Sequence, residues 1–327
     1  MISLQLYYKK PSSQTIKAMC EASKALRTSK RTGEQINKTQ EKISHYINHD
    51  SVRLVNSGNS GIMAVMSTLQ NKVLIPDEGG WIGFKTMADL MDLQTVSIPT
   101  NSGVIDLEVL DQYIDIHQPG ALFLTSFAGY IAEQPMKDLF EVCDDRKVIL
   151  VEDASGALGD PKKKLANGEH AHVIIASTGS PKIVNVGNGG FISTNDNYLL
   201  KKAKTVLNSV KADHITAAGI YEEINLAPRI LKETIKACQK MKNEFNNALH
   251  QDKRGVVLAL KVDNPKNVGY KLRQIIKAEN RRIITVCPDY NRTLSNAVCI
   301  ELKNLDVRCL KPEIVKAMII NIKKCII

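Results

Sequence analysis

The stretch Ala176-Ser-Thr-Gly-Ser-Pro-Lys-Ile-Val-Asn-Val-Gly-Asn-Gly-Gly190 decides how the chain is read. It leaves the apolar run His172-Val-Ile-Ile-Ala176, whose length and β-branched content predict a buried strand. It runs out into a second strand-like segment, Gly189-Gly-Phe-Ile-Ser193. Between the two stands one lysine, Lys182. A lysine on a loop at a strand end is ordinarily a solvated charge. Here small residues flank it on both sides, so the backbone can close around whatever the amine holds. Upstream, another apolar run, Val148-Ile-Leu-Val-Glu-Asp153, ends on an acid.

Outward from these two runs the pattern repeats. Strand candidates are residues 52–55, 72–75, 95–98, 121–125, 147–151 and 173–176; helix candidates between them are 60–69, 83–91, 107–116 and 136–143. Such alternation predicts βαβ units, hence an α/β fold with a mainly parallel sheet sandwiched by helices. Residues 1–50 read as an N-terminal helical segment, with Pro11-Ser-Ser13 as a helix start, and 51–221 as the large domain. Residues 222–327 read as a smaller C-terminal α+β domain. Its expected elements are one long helix over 222–250, a strand over 255–262, a helix over 265–277, strands over 283–286 and 297–302, and a last helix over 311–324.

Composition narrows the class. With 327 residues, 43% hydrophobic and 24% charged, the chain is long enough for a large core and ordinary for a soluble protein. No apolar run approaches the roughly 18–20 residues of a membrane span, and the first ten residues lack a signal-peptide order, so no membrane partner and a cytoplasmic location are expected. The seven cysteines are scattered without a Cys-x-x-Cys pair, which indicates neither a zinc site nor a disulfide framework. The net charge of +10 invites a nucleic-acid reading, but the basic residues are dispersed among acids and no aromatic-basic platform accompanies them. A basic surface that attracts anionic ligands accounts for the charge.

Four constellations carry chemistry. Val55-Asn-Ser-Gly-Asn-Ser-Gly-Ile62 reads as a strand end, a tight turn and a helix start. That arrangement aims free amides at one spot and makes a phosphate cup of residues 57–61, including Gly58, Asn59 and Ser60; the alternative is a plain helix cap by Asn59 or Ser60. Asp153 falls beyond the carboxyl end of its strand, where ligands of a parallel sheet bind, or else caps the following turn. Lys182 and Asp153 together suggest a Schiff-base lysine and the carboxylate that keeps a pyridine nitrogen protonated, the two fixed points of a pyridoxal-phosphate site. Ser177 or Ser180 offers a hydroxyl to phosphate or to a turn. Trp81, in Asp77-Glu-Gly-Gly-Trp-Ile-Gly-Phe84, either covers a cofactor ring or anchors its loop.

In order along the chain, these elements resemble the DegT/DnrJ/StrS family of fold-type I pyridoxal-phosphate enzymes, mostly sugar aminotransferases. The resemblance rests on Ser57-Gly-Asn-Ser-Gly61, Glu152-Asp-Ala-Ser-Gly-Ala-Leu-Gly159, Ser177-Thr-Gly-Ser-Pro-Lys182 and Gly187-Asn-Gly-Gly190. It implies that Lys182 forms the Schiff base and acts as acid and base, and that Asp153 pairs with the pyridinium nitrogen. It also implies that Ser177 and the amides of Asn59 and Ser60 bind phosphate, and that Trp81 stacks on the ring. Asn225, in Glu223-Ile-Asn-Leu-Ala-Pro228, matches an asparagine offered across a dimer interface, so a homodimer is implied. Three positions depart from the family pattern: Gly156 stands for a glutamine, Asn188 for a glutamate and Ala227 for an arginine.

The expected activity is transfer of an amino group from an amino-acid donor such as glutamate to a keto or aldehyde acceptor. The same cofactor also serves lyases, decarboxylases and sulfur transferases, and fold does not choose among them. A regulatory or nucleic-acid-binding protein on this scaffold is the reading from another class, supported only by the net charge.

Overall fold

The computed structural model describes residues 4–28, 32–70, 72–279 and 281–326. Seven strands form one sheet in the order Ser51–Val55, Gly190–Thr194, Val173–Ser177, Ile149–Asp153, Ala121–Thr125, Val73–Pro76 and Thr95–Ile98. Six run parallel, and Gly190–Thr194 is antiparallel to both its neighbours. This is the α/β sandwich expected from the alternating pattern.

The five inner strands are buried and mostly apolar because both faces are covered, whereas the edge strands Ser51–Val55 and Thr95–Ile98 carry the exposed Arg53 and Ser97. The two-residue period of a strand sends successive side chains to opposite layers. Leu74, Leu122, Leu124, Leu150, Ile174 and Phe191 pack on one face with Ile43, Ile47, Leu110, Leu139 and Ile220. Their chain neighbours Val73, Ile75, Phe123, Val151, Ile175 and Ile192 pack on the other with Ile62, Val65, Phe84, Ala88 and Leu200. Each fully buried Ile, Leu or Phe stabilises by about 1.5–3 kcal/mol, so these two layers dominate the core.

A third apolar cluster includes Met241, Leu258, Leu260, Leu272, Ile300 and Ile322. It lies around a small antiparallel sheet with Ala297–Ile300 between Leu258–Lys261 and Ile284–Val286, flanked by the helices Pro265–Ile275 and Pro312–Ile326. Those elements match the expected C-terminal series to within a few residues.

Three expectations are corrected. Residues 222–250 are not one helix: His214–Glu223 ends at the short 3-10 turn Ile224–Leu226, and a new helix, Ala227–Lys242, follows. Pro228 sits in the first turn of the new helix, where its missing N–H does no harm but where it cannot continue an earlier one. The N-terminal segment is not wholly helical. The helices Ser13–Ala25 and Thr32–Ile47 are preceded by a strand, Leu4–Leu6, that pairs in parallel with Ile276–Ala278. Finally, the helix after the first strand starts earlier than residue 60, spans Gly58–Met66, and is capped by Ser57 rather than by Asn59 or Ser60. The Ser57 side chain takes the Ser60 amide, the usual N-cap bond.

Candidate active site

The Lys182 loop is a hairpin connection at the carboxyl end of the sheet. Ser177 and Gly190 pair in register at its base, and the reversed strand Gly190–Thr194 leads the chain away. Bonds from Thr178 N to Gly189 O, at 3.0 Å, and from Val186 N to Thr178 O and Lys182 N to Gly179 O, both at 2.9 Å, lock its backbone. Ile183 and Val184 are buried beneath it. Gly189 has φ +84°, and a β-carbon there would come within 2.5 Å of Thr216 Cγ2, so the exit of the loop requires glycine. Lys9, itself buried, props the loop from below by donating to Ile183 O at 2.9 Å.

The next strand over ends at Asp153, level with Thr125 and Ile175. Its Oδ1 accepts from Ser155 N at 2.9 Å and from Ser155 Oγ at 2.5 Å, and Ser155 Oγ in turn accepts from Ser177 N at 2.8 Å. These bonds tie the acid to the strand that carries the lysine. Among the described residues, Asp153 Oδ2 accepts no hydrogen bond.

Glu152 points to the opposite face, as the strand period demands. It is fully buried, accepts from Ser126 Oγ at 2.5 Å and Ala166 N at 2.9 Å, and its Oε2 has no partner among the described residues. Burial pushes its carboxyl up to about 7, against the pull of those two donors. Its folded pKa therefore lies above the unfolded value. Stability attributable to this group is complete below pH 4.5 and falls as pH rises toward about 7, as the unfolded chain gives up a proton the folded chain keeps. Glu152→Gln should flatten that slope, removing a loss of about 3 kcal/mol. Urea unfolding of both proteins at pH 5 and pH 7.5 measures it; equal slopes would contradict the assignment.

Lys182 Nζ donates to Tyr130 Oη at 2.9 Å and lies 5.5 Å from the centre of the Trp81 ring. Burial works against charge on this amine, but the Tyr130 oxygen and the Asp153 carboxylate outweigh it and hold the pKa above that of an ordinary lysine. Trp81 is held by a bond from its Nε1 to Asn59 Oδ1 at 2.7 Å. Gly83 gives it room, since a β-carbon there would fall 2.2 Å from Trp81 Nε1.

At the other end of the cleft, Gly58 meets Ser177: a β-carbon on Gly58 would lie 2.9 Å from Ser177 Cβ. The amides of Gly58 and Asn59 stand at the open N-terminus of Gly58–Met66, where helical N–H groups lack an internal partner. The Ser60 amide is already engaged by Ser57 Oγ, and Ser60 Oγ donates to Asn56 Oδ1 at 2.5 Å. Ser177 Oγ accepts from Gly179 N at 3.2 Å and keeps its own proton to donate. Asn225 is exposed on the Ile224–Leu226 turn and takes no part in this hydrogen-bonded cluster.

Several residues of the site were not singled out in the sequence. Tyr130 and Ser155 are two. Arg292 and Lys303 are two more: their cationic groups lie 5.0 Å and 4.6 Å from the Tyr130 ring centre. Arg292 donates to both oxygens of Glu301 at 2.7 and 2.8 Å. Burial alone would raise the Glu301 carboxyl, but Arg292 and Lys303 hold it down at about 2. Burial lowers the Lys303 amine to about 7, with Glu301 opposing. The usable signal for Tyr130 and Ser155 was position, since both follow carboxyl ends of parallel strands. Arg292 and Lys303 come from the C-terminal elements and had no such signal.

A lysine and a carboxylate on adjacent strand ends, with an anion cup beside them, define a fold-type I pyridoxal-phosphate enzyme. The chain belongs to the DegT/DnrJ/EryC1/StrS aminotransferase family, whose model matches residues 12–223, and its cofactor is pyridoxal 5'-phosphate. A second model, the MJ1341 family C-terminal domain, matches residues 228–323. Among solved structures, the chain is similar to Helicobacter pylori PseC, an aminotransferase involved in the biosynthesis of pseudoaminic acid. That match has 14% identity, covers 99% of each chain and has a TM-score of 0.79. It is also similar to a DegT DnrJ EryC1 StrS aminotransferase from Brucella abortus, at 14% identity, 96% of each chain and a TM-score of 0.73. Sphingomonas wittichii serine palmitoyltransferase matches at 12% identity over 99% of this chain and 87% of its own, with a TM-score of 0.77. At such identities these likenesses establish the fold alone.

The residues present fit the cofactor. The Gly58–Ser177 contact leaves a cradle that a β-carbon would fill, and Asp153 keeps an oxygen without a partner among the described residues.

Proposed function

We propose that this enzyme moves an amino group from an amino-acid donor such as glutamate to a keto or aldehyde acceptor, with Lys182 as the Schiff-base residue. The convergence of Lys182, Asp153 and Trp81 on one cleft carries this reading. When bound, the cofactor supplies an electron sink for the carbanion that forms at the substrate α-carbon. The rest is done by the chain.

Lys182 would hold the cofactor through its amine, and that amine, when free, would carry the α-proton. Asp153, through its unpartnered oxygen, would pair with the cofactor's pyridine nitrogen and favour its protonated form. The Gly58 and Asn59 amides, with the Ser177 hydroxyl, hold the phosphate at the positive end of their helix. Ser60 supports that cup by its bonds to Ser57 and Asn56. Trp81 covers one face of the ring and excludes water. The protein acts as a homodimer in the cytoplasm, with the exposed Asn225 reaching toward the partner's phosphate. A sugar acceptor agrees with the family and with the sugar aminotransferases to which the chain is similar.

The test is a spectrum of the purified protein with cofactor and then with donors. The expected result is a lysine–cofactor absorption band that bleaches with glutamate and returns with a keto acid. A band that no amino donor bleaches counts against aminotransfer, and no band at all sinks the cofactor assignment to this cleft.

A further inference from the structure

We propose that Tyr130 is a positioning residue for Lys182: its phenolic oxygen holds the lysine amine, and Gly156 is bare so that the Tyr130 ring can stand in its place. Three independent features support this.

The first is the backbone. Tyr130 has φ +63°, a left-handed conformation that a bulky side chain adopts only where its surroundings impose it. The surroundings do impose it. Tyr130 N donates to Phe127 O at 2.9 Å, while Tyr130 O accepts from Val256 N at 2.9 Å and Val257 N at 3.0 Å. The C-terminal elements thus pin a residue of the large sheet's loop at the mouth of the cleft. Strain retained by so many bonds is a mark of function rather than of a neutral turn.

The second is space. A β-carbon at position 156 would fall 2.5 Å from Tyr130 Cε1 and 2.7 Å from Cδ1. Any side chain at 156 therefore displaces the ring, so the absence of one there and the presence of tyrosine at 130 are a matched pair.

The third is charge. Lys182 is faced by Asp153 from its strand end, by Tyr130, by Arg292 and Lys303 from the C-terminal elements, and by Tyr8 from the N-terminal segment. Arg292 and Lys303 repel the amine, and Glu301 is already committed to both of them. Among the described residues, the Tyr130 oxygen and the Asp153 carboxylate are the strongest groups drawing a proton to Lys182. The same two cations lie against the Tyr130 ring, where attraction to its π face keeps the hydroxyl aimed at the lysine.

This inference rests on Lys182 being the reactive amine, but its test needs no cofactor. In the full-length, cofactor-free protein, acetylation of Lys182 by acetic anhydride is followed against pH and read by peptide mass spectrometry. Tyr130→Phe removes the oxygen and keeps the ring. Its expected effect is a lower titration midpoint, so that labelling near pH 8 rises at least about threefold, the change that half a pKa unit gives. Gly156→Ala should shift the midpoint in the same direction by displacing the ring. Lys242, fully buried and bonded to Ile131 O, His250 O and Lys253 O, is the control. Its labelling should not change, whereas general loosening would raise both lysines.

A Lys182 profile in Tyr130→Phe that superimposes on the parent's overturns the proposal. If one variant loses its native circular dichroism, the other is read alone. A midpoint shift in a protein that never shows the cofactor band would sink the functional reading and leave the Tyr130 role standing.

Discussion

Lys182→Ala is expected to lower aminotransfer by about a thousandfold or more, the scale on which a positioned acid–base group acts. The variant should still fold. The loop that carries the lysine is closed by its own backbone bonds and anchored by Ile183 and Val184, none of which involves the Lys182 side chain. Cofactor should therefore remain bound through the Gly58–Ser177 cup, but without the lysine-dependent band. Added primary amines should restore part of the activity, because a free amine can supply the lost nitrogen. Full activity in the unsupplemented variant would exclude Lys182 as the reactive amine.

Asp153→Asn comes second in expected size. Its carboxylate is 8% exposed and held by Ser155, so it cannot be replaced by solvent or by a neighbouring acid. Its chain neighbour Glu152 points to the opposite face and lies in the core. Removing one partner of a buried charge pair costs about 3–5 kcal/mol, which corresponds to roughly 10²–10⁴ in rate. The amide keeps the Ser155 bonds in shape, so the loss should appear in kcat while the lysine–cofactor band persists. A variant within a factor of a few of the parent would mean that Asp153 is only a turn cap.

Much of the sheet was legible because strands buried on both faces are written as unbroken apolar runs, and 121–125 falls where such a run does; the edge strand 95–98 was read although Thr95 and Ser97 interrupt it. The pairing of Asp153 with Lys182 was legible for a related reason. In a parallel sheet the carboxyl ends converge on one edge, so residues distant in sequence need only end adjacent strands. What failed was tertiary. Leu4–Leu6 is too short to register as a strand and exists because Ile276–Ala278 lies beside it. The break in the helix near residue 224 depends on how Pro228 is used, and proline serves a helix start as readily as it ends one. The helices Asn197–Lys202 and His214–Glu223 were not singled out, although Asp196 and Asp213 cap them and stand in the sequence as start signals. Tyr130 offered only its place after a strand end, and its role could not be read. Its conformation is set by Val256 and Val257, and its position by the absence of a side chain at Gly156.

The central claim is that Lys182 is the covalent anchor, and borohydride reduction of the cofactor-loaded protein tests it most directly. Reduction fixes the lysine–cofactor bond, and proteolysis with mass spectrometry locates the added phosphopyridoxyl mass. That mass is expected on the peptide containing Lys182, at one equivalent per chain. The mass on any other lysine, or no stoichiometric label at all, would contradict it.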